Sequence, residues 1–124
     1  MRECLLNDSF ALQQAAENLK KTVCDTALNA LNQTFENQGK LLVSGVGKSG
    51  IVARKIAATF TSLGFPALFL NPTDALHGDL GIAMSDDTVI FLSNSGDTQE
   101  IIDLVPYIKK RVSKMIAITG HLSS

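Results

Sequence analysis

The chain has 124 residues, of which 45% are hydrophobic and 19% charged, and its formal net charge is −1. These values are typical of one folded domain, and the near-neutral charge, without a lysine-arginine block, argues against nucleic acid or an anionic membrane as a partner. No apolar run approaches the ~20 residues that cross a bilayer. The N-terminus lacks the apolar stretch of a signal peptide, and Cys4 and Cys24 form no zinc-binding pattern. We therefore expect a cytoplasmic protein.

The first part of the chain carries a helical repeat. Apolar residues recur three or four positions apart from about Ser9 to Asn37, which predicts a long amphipathic helix that one break could divide. Asn7–Ser9 supplies candidate N-caps, and Asn37–Gly39 is a typical helix stop. Because a long helix outside the rest of a fold often docks on another subunit, we expect this helical segment, residues 1–39, to support a homo-oligomer.

Strands and helices alternate in the rest of the chain. The apolar runs and turn residues predict strands over 40–44, 67–70, 88–92 and 114–119, and helices over 51–63 and 97–110. A polar loop is expected after the second strand, at Pro72. Continuous apolar strands alternating with helices indicate a parallel sheet covered on both faces. We predict an α/β fold with three layers, helices on each side of a central parallel sheet, as in flavodoxin-like proteins.

The unusual polar residues of this α/β core are concentrated after the predicted strands. Ligands of such sheets bind outside the carboxyl ends of the strands. The loops that lie there are Ser44–Gly50, Asn71–Asp79, Ser93–Glu100 and Thr119–His121. This concentration predicts one binding site at that edge of the sheet.

The glycine loop after the first strand fits two nucleotide motifs incompletely. A P-loop needs a glycine where the chain has Leu42, so a triphosphate site is excluded. Gly45, Gly47 and Gly50 match the dinucleotide pattern. However, the second strand lacks the acidic residue that would hold the ribose, since Asp74 lies beyond a proline. Nicotinamide binding therefore stays a minor alternative.

A small anion fits both loops better. The glycines let the backbone approach a ligand, and the helix that follows points N–H groups into the loop. Lys48 adds a positive charge there, and the second loop offers the hydroxyls of Ser93, Ser95 and Thr98. Together these residues predict a monophosphate pocket without a metal.

Two candidate residues have structural alternatives. Asp97 and Glu100 fit a capping box, with Asp97 as N-cap, but Glu100 could also face the ligand as a base. His77 lies in a loop, where a lone histidine is usually only solvated, and no local spacing supplies further metal ligands. The residue pattern alone leaves both questions open.

Three motifs resemble the sugar isomerase (SIS) domain, and within it the KpsF/GutQ group of D-arabinose 5-phosphate isomerases. They occur in the expected order: Gly-Val-Gly-Lys-Ser-Gly at 45–50, His-Gly-Asp-Leu-Gly at 77–81 and Ser-Asn-Ser-Gly-Asp-Thr-Gln-Glu at 93–100. The resemblance implies interconversion of D-ribulose 5-phosphate and D-arabinose 5-phosphate through an enediol, with no cofactor required. This reaction is the first step towards Kdo, a sugar of lipopolysaccharide and some capsules.

The resemblance also implies roles for individual residues. The three implied catalytic residues are Lys48, an important cation, Glu100, a candidate acid/base, and His77, which lines the substrate site and can bind inhibitory zinc. The other predicted substrate- and phosphate-binding residues lie in the three loops: Ser44, Gly45, Gly47, Ser49, Asn71, Ser93, Asn94, Ser95 and Thr98. By the same resemblance, the oligomer is a tetramer.

Two features of the family are missing from this chain. Family members continue with a further strand and helix that carry a second functional glutamate and a histidine, and many also carry a pair of CBS domains. We therefore expect a single SIS domain over residues 1–124, with its βα core over 40–124, that is truncated at its C-terminus and weakly active or inactive alone. The alternative function is a non-catalytic module that binds a sugar phosphate.

Overall fold

The computed structural model describes residues 1–121 and contains a four-stranded parallel sheet with helices on both faces. The strands are β1 (Leu41–Gly45), β2 (Ala67–Phe69), β3 (Thr88–Ser93) and β4 (Lys114–Thr119), in the order β2-β1-β3-β4. The helices are α1 (Arg2–Asn18), α2 (Lys21–Glu36), α3 (Lys48–Ser62), α4 (Pro72–Leu76) and α5 (Gln99–Ile108), with a 3₁₀ turn at Asp79–Ile82. The predicted three-layer α/β fold is confirmed.

Alternating side chains of the central strands build two separate cores. On one face, Leu41 and Val43 pack with Ala53 and Ala57 of α3, and α2 contributes Phe35. On the other face, Leu42 of β1 and Val89 of β3 pack against α4 and α5, in a cluster that includes Leu104 and Ile108. Every residue of β1 and β3 is buried, because both faces of these strands are covered.

The N-terminal helical segment differs from the prediction at its start. It consists of two helices, because Leu19 and Lys20 adopt extended backbone angles, which is the single break that the prediction allowed. The predicted N-caps at Asn7–Ser9 are wrong, since α1 already begins at Arg2. Short polar residues fit inside a helix when their side chains stay in solvent, and no residue of α1 is buried.

The segment after β2 is helical, and the prediction of a polar loop there is wrong. Asn71 caps α4 by accepting hydrogen bonds from the N–H groups of Thr73 (2.9 Å) and Asp74 (3.1 Å), and Pro72 occupies the first helical position. Asparagine followed by proline is a recognisable helix start. The helix is only five residues long, which is why no apolar period revealed it.

A buried ion pair joins β1 to β3 at the amino edge of the sheet. Asp87, 1% exposed, accepts hydrogen bonds from Lys40 Nζ (2.6 Å), from the Lys40 backbone N–H (2.9 Å) and from the Met84 N–H (2.8 Å). Beside it the hydroxyls of Thr34 and Thr88 hydrogen-bond at 2.7 Å and tie α2 to β3. These contacts lie opposite the carboxyl edge and set the position of both central strands.

Removal of the Asp87 carboxylate tests this arrangement. Asp87→Ala leaves the Lys40 ammonium and two backbone N–H groups without their acceptor. We expect the free energy of unfolding to fall by about 3 kcal/mol, the usual cost of breaking a buried ion pair. Denaturant unfolding measures the change. The exposed neighbour Asp86 gives the control, since Asp86→Ala should stay within about 0.5 kcal/mol of the wild type; equal losses in the two variants would contradict the role of Asp87.

Candidate functional site

The carboxyl edge of the sheet has a reversal of strand order between β1 and β3. Gly45 and Leu92 are register partners, so the two strands end side by side. From there the chain continues to α3 on one face and to α5 on the other, which opens a crevice between the two loops. Crevices of this kind are where open α/β sheets bind their ligands. The two loops predicted to bind a ligand, Ser44–Gly50 and Ser93–Glu100, both begin at this point.

Glycines shape the first loop through one close contact and one unusual backbone angle. A Cβ on Gly45 would lie 2.8 Å from the Ser49 carbonyl group, and a Cβ on Gly50 would lie 2.8 Å from the Gly45 oxygen. Gly47, the N-cap of α3, has φ +60°, a backbone angle that residues other than glycine rarely adopt. Lys48 is then the first helical residue, with its side chain in solvent, and Ser49 is half-buried.

The second loop is held together by its own hydroxyl groups. Ser93 Oγ accepts a hydrogen bond from the Gly96 N–H (3.0 Å) and shares another with Thr98 Oγ1 (2.7 Å). Ser95 Oγ accepts from the Asp97 N–H at 3.1 Å. The loop also contacts the end of β4, where the Gly120 N–H donates to the Asn94 carbonyl at 3.1 Å. The predicted hydroxyls therefore fix the loop in place, and the N–H groups of Gln99 and Glu100 at the start of α5 have no acceptor within residues 1–121.

Glu100 does not take part in a capping box. Helix α5 begins at Gln99 with Thr98 as N-cap, no side chain caps it, and Glu100 is its second residue. The capping prediction for Asp97 and Glu100 is wrong, because the hydrogen bonds of Ser93 and Ser95 turn the chain before the helix starts. Glu100 is exposed in the first turn of α5 and makes no hydrogen bond within residues 1–121.

His77 lies beside α5 rather than beside the glycine loop. It follows α4 as the C-cap residue, with an exposed side chain, and lines an open cleft of about 920 Å³. The opposite wall of this cleft belongs to α5 and includes Asp103 and Tyr107. Lys48 and Glu100 do not line it. The structure therefore places Lys48 and Glu100 at the carboxyl edge, at the starts of α3 and α5, and His77 in a separate cleft between α4 and α5.

A smaller cavity joins the glycine loop to the start of α4. Its volume is about 150 Å³, and its walls include the predicted residues Gly45, Gly47 and Asn71. The same cavity is lined by Arg54, whose guanidinium lies 3.9 Å from the centre of the Phe69 ring. Sequence reasoning missed Arg54. Its position six residues after Lys48, on the face of α3 shared with Gly50, is the signal that could have identified it.

Ser44 carries a polar group that the fold does not satisfy. Its residue is fully buried in β1, and its Oγ has no hydrogen-bond partner. Leu42, two positions earlier, packs on the face covered by α4 and α5, so the Ser44 side chain lies on that face as well. A buried hydroxyl without a partner is unfavourable, and this one lies where the crevice begins.

Membrane-spanning helices and metal clusters are both absent from the described part of the chain. No helix in residues 1–121 is both long and apolar enough to cross a membrane. Over the same residues, no group of three or more histidine, cysteine, aspartate or glutamate side chains is placed to hold a metal ion. Zinc binding at His77 stays a prediction.

Comparison with known protein families identifies the family of this chain. The family model of the SIS domain matches residues 34–124, and this chain belongs to that family.

The most similar relatives include arabinose 5-phosphate isomerases. The chain is 41% identical to the arabinose 5-phosphate isomerase GutQ of Salmonella typhimurium over its whole length, which is 40% of that relative. It is 41% identical to the arabinose 5-phosphate isomerase KdsD of Pseudomonas aeruginosa over 90% of the chain and 34% of the relative. The chain therefore spans about two fifths or less of the length of these relatives.

Solved structures share the fold at similar identity. A structure of an Escherichia coli CFT073 protein in complex with arabinose 5-phosphate has a TM-score of 0.83 and 39% identity, over 96% of this chain and 62% of the other. A candidate phosphosugar isomerase involved in capsule formation from Bacteroides fragilis also has a TM-score of 0.83, with 37% identity over 98% of this chain and 67% of the other.

Two serines on the same face of the sheet should respond in opposite ways to loss of the hydroxyl. Ser93→Ala removes the two hydrogen bonds that the Ser93 hydroxyl makes in the second loop and should lower the free energy of unfolding by about 1–2 kcal/mol. Ser44→Ala removes an unsatisfied buried group and should leave stability unchanged or raise it by up to about 1 kcal/mol. Denaturant unfolding of the two variants measures both changes. A loss at Ser44 equal to that at Ser93 would show that Ser44 has a partner in the free protein.

Proposed function

We propose that this chain binds a pentose phosphate in the crevice between β1 and β3 and interconverts D-ribulose 5-phosphate and D-arabinose 5-phosphate. The observation that carries the proposal is the hydroxyl-fixed loop at Ser93–Thr98, which presents the start of α5 beside the glycine loop. Similarity to arabinose 5-phosphate isomerases, and to a structure in complex with arabinose 5-phosphate, supports the choice of substrate.

The phosphate group is proposed to bind at the second loop. The N–H groups of Gln99 and Glu100, the first two residues of α5, have no acceptor within residues 1–121, and the positive end of the helix dipole favours an anion. Ser93, Ser95 and Thr98 hold these N–H groups in position, and their hydroxyls can add hydrogen bonds to phosphate oxygens. Asn94, exposed in the same loop, can reach the ligand from the β4 side.

The chemistry is a proton transfer between C1 and C2. In the direction from ketose to aldose, the Glu100 carboxylate takes a proton from C1, which gives an enediol, and returns it to C2. The hydroxyl proton of C1 is lost as the carbonyl oxygen of C2 gains one, so the isomerisation is redox-neutral and needs no cofactor. Lys48 stabilises the negative charge that develops on these oxygens. In this scheme His77 contacts the sugar from the α4 side.

A wider role follows from the same proposal. Production of arabinose 5-phosphate would place the reaction in the cytoplasm, as the first step towards Kdo for lipopolysaccharide or capsule. A non-catalytic SIS module that only binds a sugar phosphate is the second candidate. One observation favours it: Lys48 and Glu100 lie outside the cleft that His77 lines, so the described residues do not enclose the three groups.

Substitution of the two chemical groups separates these candidates. Lys48→Ala and Glu100→Gln should each lower kcat for ribulose 5-phosphate isomerisation about 10²–10⁴-fold, because each removes a group that acts on the reacting carbons. Both side chains are exposed, so the fold should be retained. A coupled assay of arabinose 5-phosphate formation measures the rates, and calorimetry measures sugar phosphate binding.

Matched controls use residues of the same type elsewhere. Lys109→Ala and Glu36→Gln change exposed side chains at the C-terminal ends of α5 and α2, and should leave the rate unchanged. Unchanged turnover in Lys48→Ala or Glu100→Gln would refute that residue's role. Binding of the sugar phosphate by the wild type without any turnover would favour the non-catalytic module.

The partner of α1 is proposed to be a second copy of this chain. No residue of α1 is buried, and its large apolar side chains Leu5, Leu6, Phe10 and Leu12 are 61–72% exposed. Most helical stability in proteins comes from packing of an apolar face, so these exposed apolar side chains support assembly as a homo-oligomer, proposed to be a tetramer.

A charge placed on α1 should disrupt this assembly. Leu12→Glu should shift the chain to a smaller species in sedimentation velocity, because the carboxylate would have to be buried in the interface. Gln13→Glu adds the same charge at the next exposed residue, which carries no apolar contact area, and serves as the control. A wild-type chain that sediments as a monomer at all concentrations would contradict the proposal.

A further inference from the structure

The cavity between the glycine loop and α4 contains a group that the proposed chemistry does not use. Arg54 lines this cavity of about 150 Å³. Pockets for whole small molecules usually measure about 300–1,000 Å³. The cavity is therefore suited to one small group rather than to a complete sugar phosphate.

The Arg54 guanidinium is oriented by an aromatic ring and remains free to bind. It lies 3.9 Å from the centre of the Phe69 ring, a cation–π contact that limits the freedom of the side chain. Within residues 1–121 it makes no hydrogen bond and no ion pair. A guanidinium held in this way keeps its row of N–H donors available for a planar or tetrahedral oxyanion.

Two other side chains add donors to the same cavity. Asn71 uses its Oδ1 to cap α4, and its side-chain nitrogen has no acceptor among residues 1–121. Thr73 also lines the cavity, and its hydroxyl makes no hydrogen bond within that range. None of the residues that line the cavity is acidic. Three donor groups and no carboxylate define a site for an anion.

We propose that Arg54, Asn71 and Thr73 form a second anion subsite that takes a phosphoryl group, on the opposite side of the glycine loop from the Ser93–Thr98 loop. The two subsites lie on the two sides of β1, because α4 follows β2 and the Ser93–Thr98 loop follows β3 in the strand order β2-β1-β3-β4. The second subsite goes beyond isomerisation and does not depend on it.

Titration of the full chain with inorganic phosphate, followed by amide NMR shifts, tests the second subsite. In the wild type we expect saturable shifts at Gly45–Gly50 and Thr73, separate from those at Gly96–Glu100. Arg54→Gln should weaken the Gly45–Gly50 response about tenfold and leave the Gly96–Glu100 response unchanged, since the charge-assisted bonds are lost at one subsite only. Arg54→Lys should restore part of the affinity, because it keeps the charge but not the planar fork.

Several outcomes decide the proposal. If Arg54→Gln bound phosphate at Gly45–Gly50 as tightly as the wild type, the proposal would be overturned. It would also be overturned if sodium chloride at matched ionic strength produced the same shifts in the wild type. Acetate should bind more weakly than phosphate because it offers two oxygens to three donors, and equal binding would overturn the preference for a phosphoryl group. Failure of the proposed function would be seen separately, as the absence of amide shifts at Gly96–Glu100 when arabinose 5-phosphate is added. Well-dispersed spectra of both Arg54 variants show that they remain folded.

Discussion

Contact between the backbones of Gly45 and Gly50 determines how β1 passes into α3. A side chain at either position would lie 2.8 Å from backbone atoms of the other half of the loop, so the strand and the helix could not approach as they do. The positive φ of Gly47 completes the turn and places Lys48 at the first position of the helix. The shape of the carboxyl edge, including the cavity lined by Arg54, depends on this contact.

The second loop obtains its shape from hydroxyls rather than from glycine contacts. Ser93, Ser95 and Thr98 satisfy the turn before α5, which leaves the helix N-terminus open. Such preorganisation lowers the entropy that the loop would lose when a ligand binds. At the opposite edge, the pair between Lys40 and Asp87 joins the two central strands, so this buried ion pair lies at the other end of the sheet from the proposed binding site.

The sequence predicted the fold because its main signals are local. The apolar run of β4 gave bounds that agree with the structure, Lys114–Thr119, and the glycine and serine loops were located correctly at the ends of β1 and β3. What it could not predict depends on contacts between distant residues. Arg54 reaches the site through its contact with Phe69, and the Lys40 pair with Asp87 spans 47 positions. Helix α5 begins at Gln99, later than predicted, because hydrogen bonds within the loop replaced the expected cap.

A crystal structure of this chain with bound arabinose 5-phosphate would locate the phosphate and the reacting carbons relative to both loops. We expect the phosphate within hydrogen-bond distance of the N–H groups at the start of α5, with C1 and C2 near Glu100 and Lys48. A phosphate bound only in the cavity lined by Arg54, or reacting carbons directed away from both side chains, would contradict this expectation.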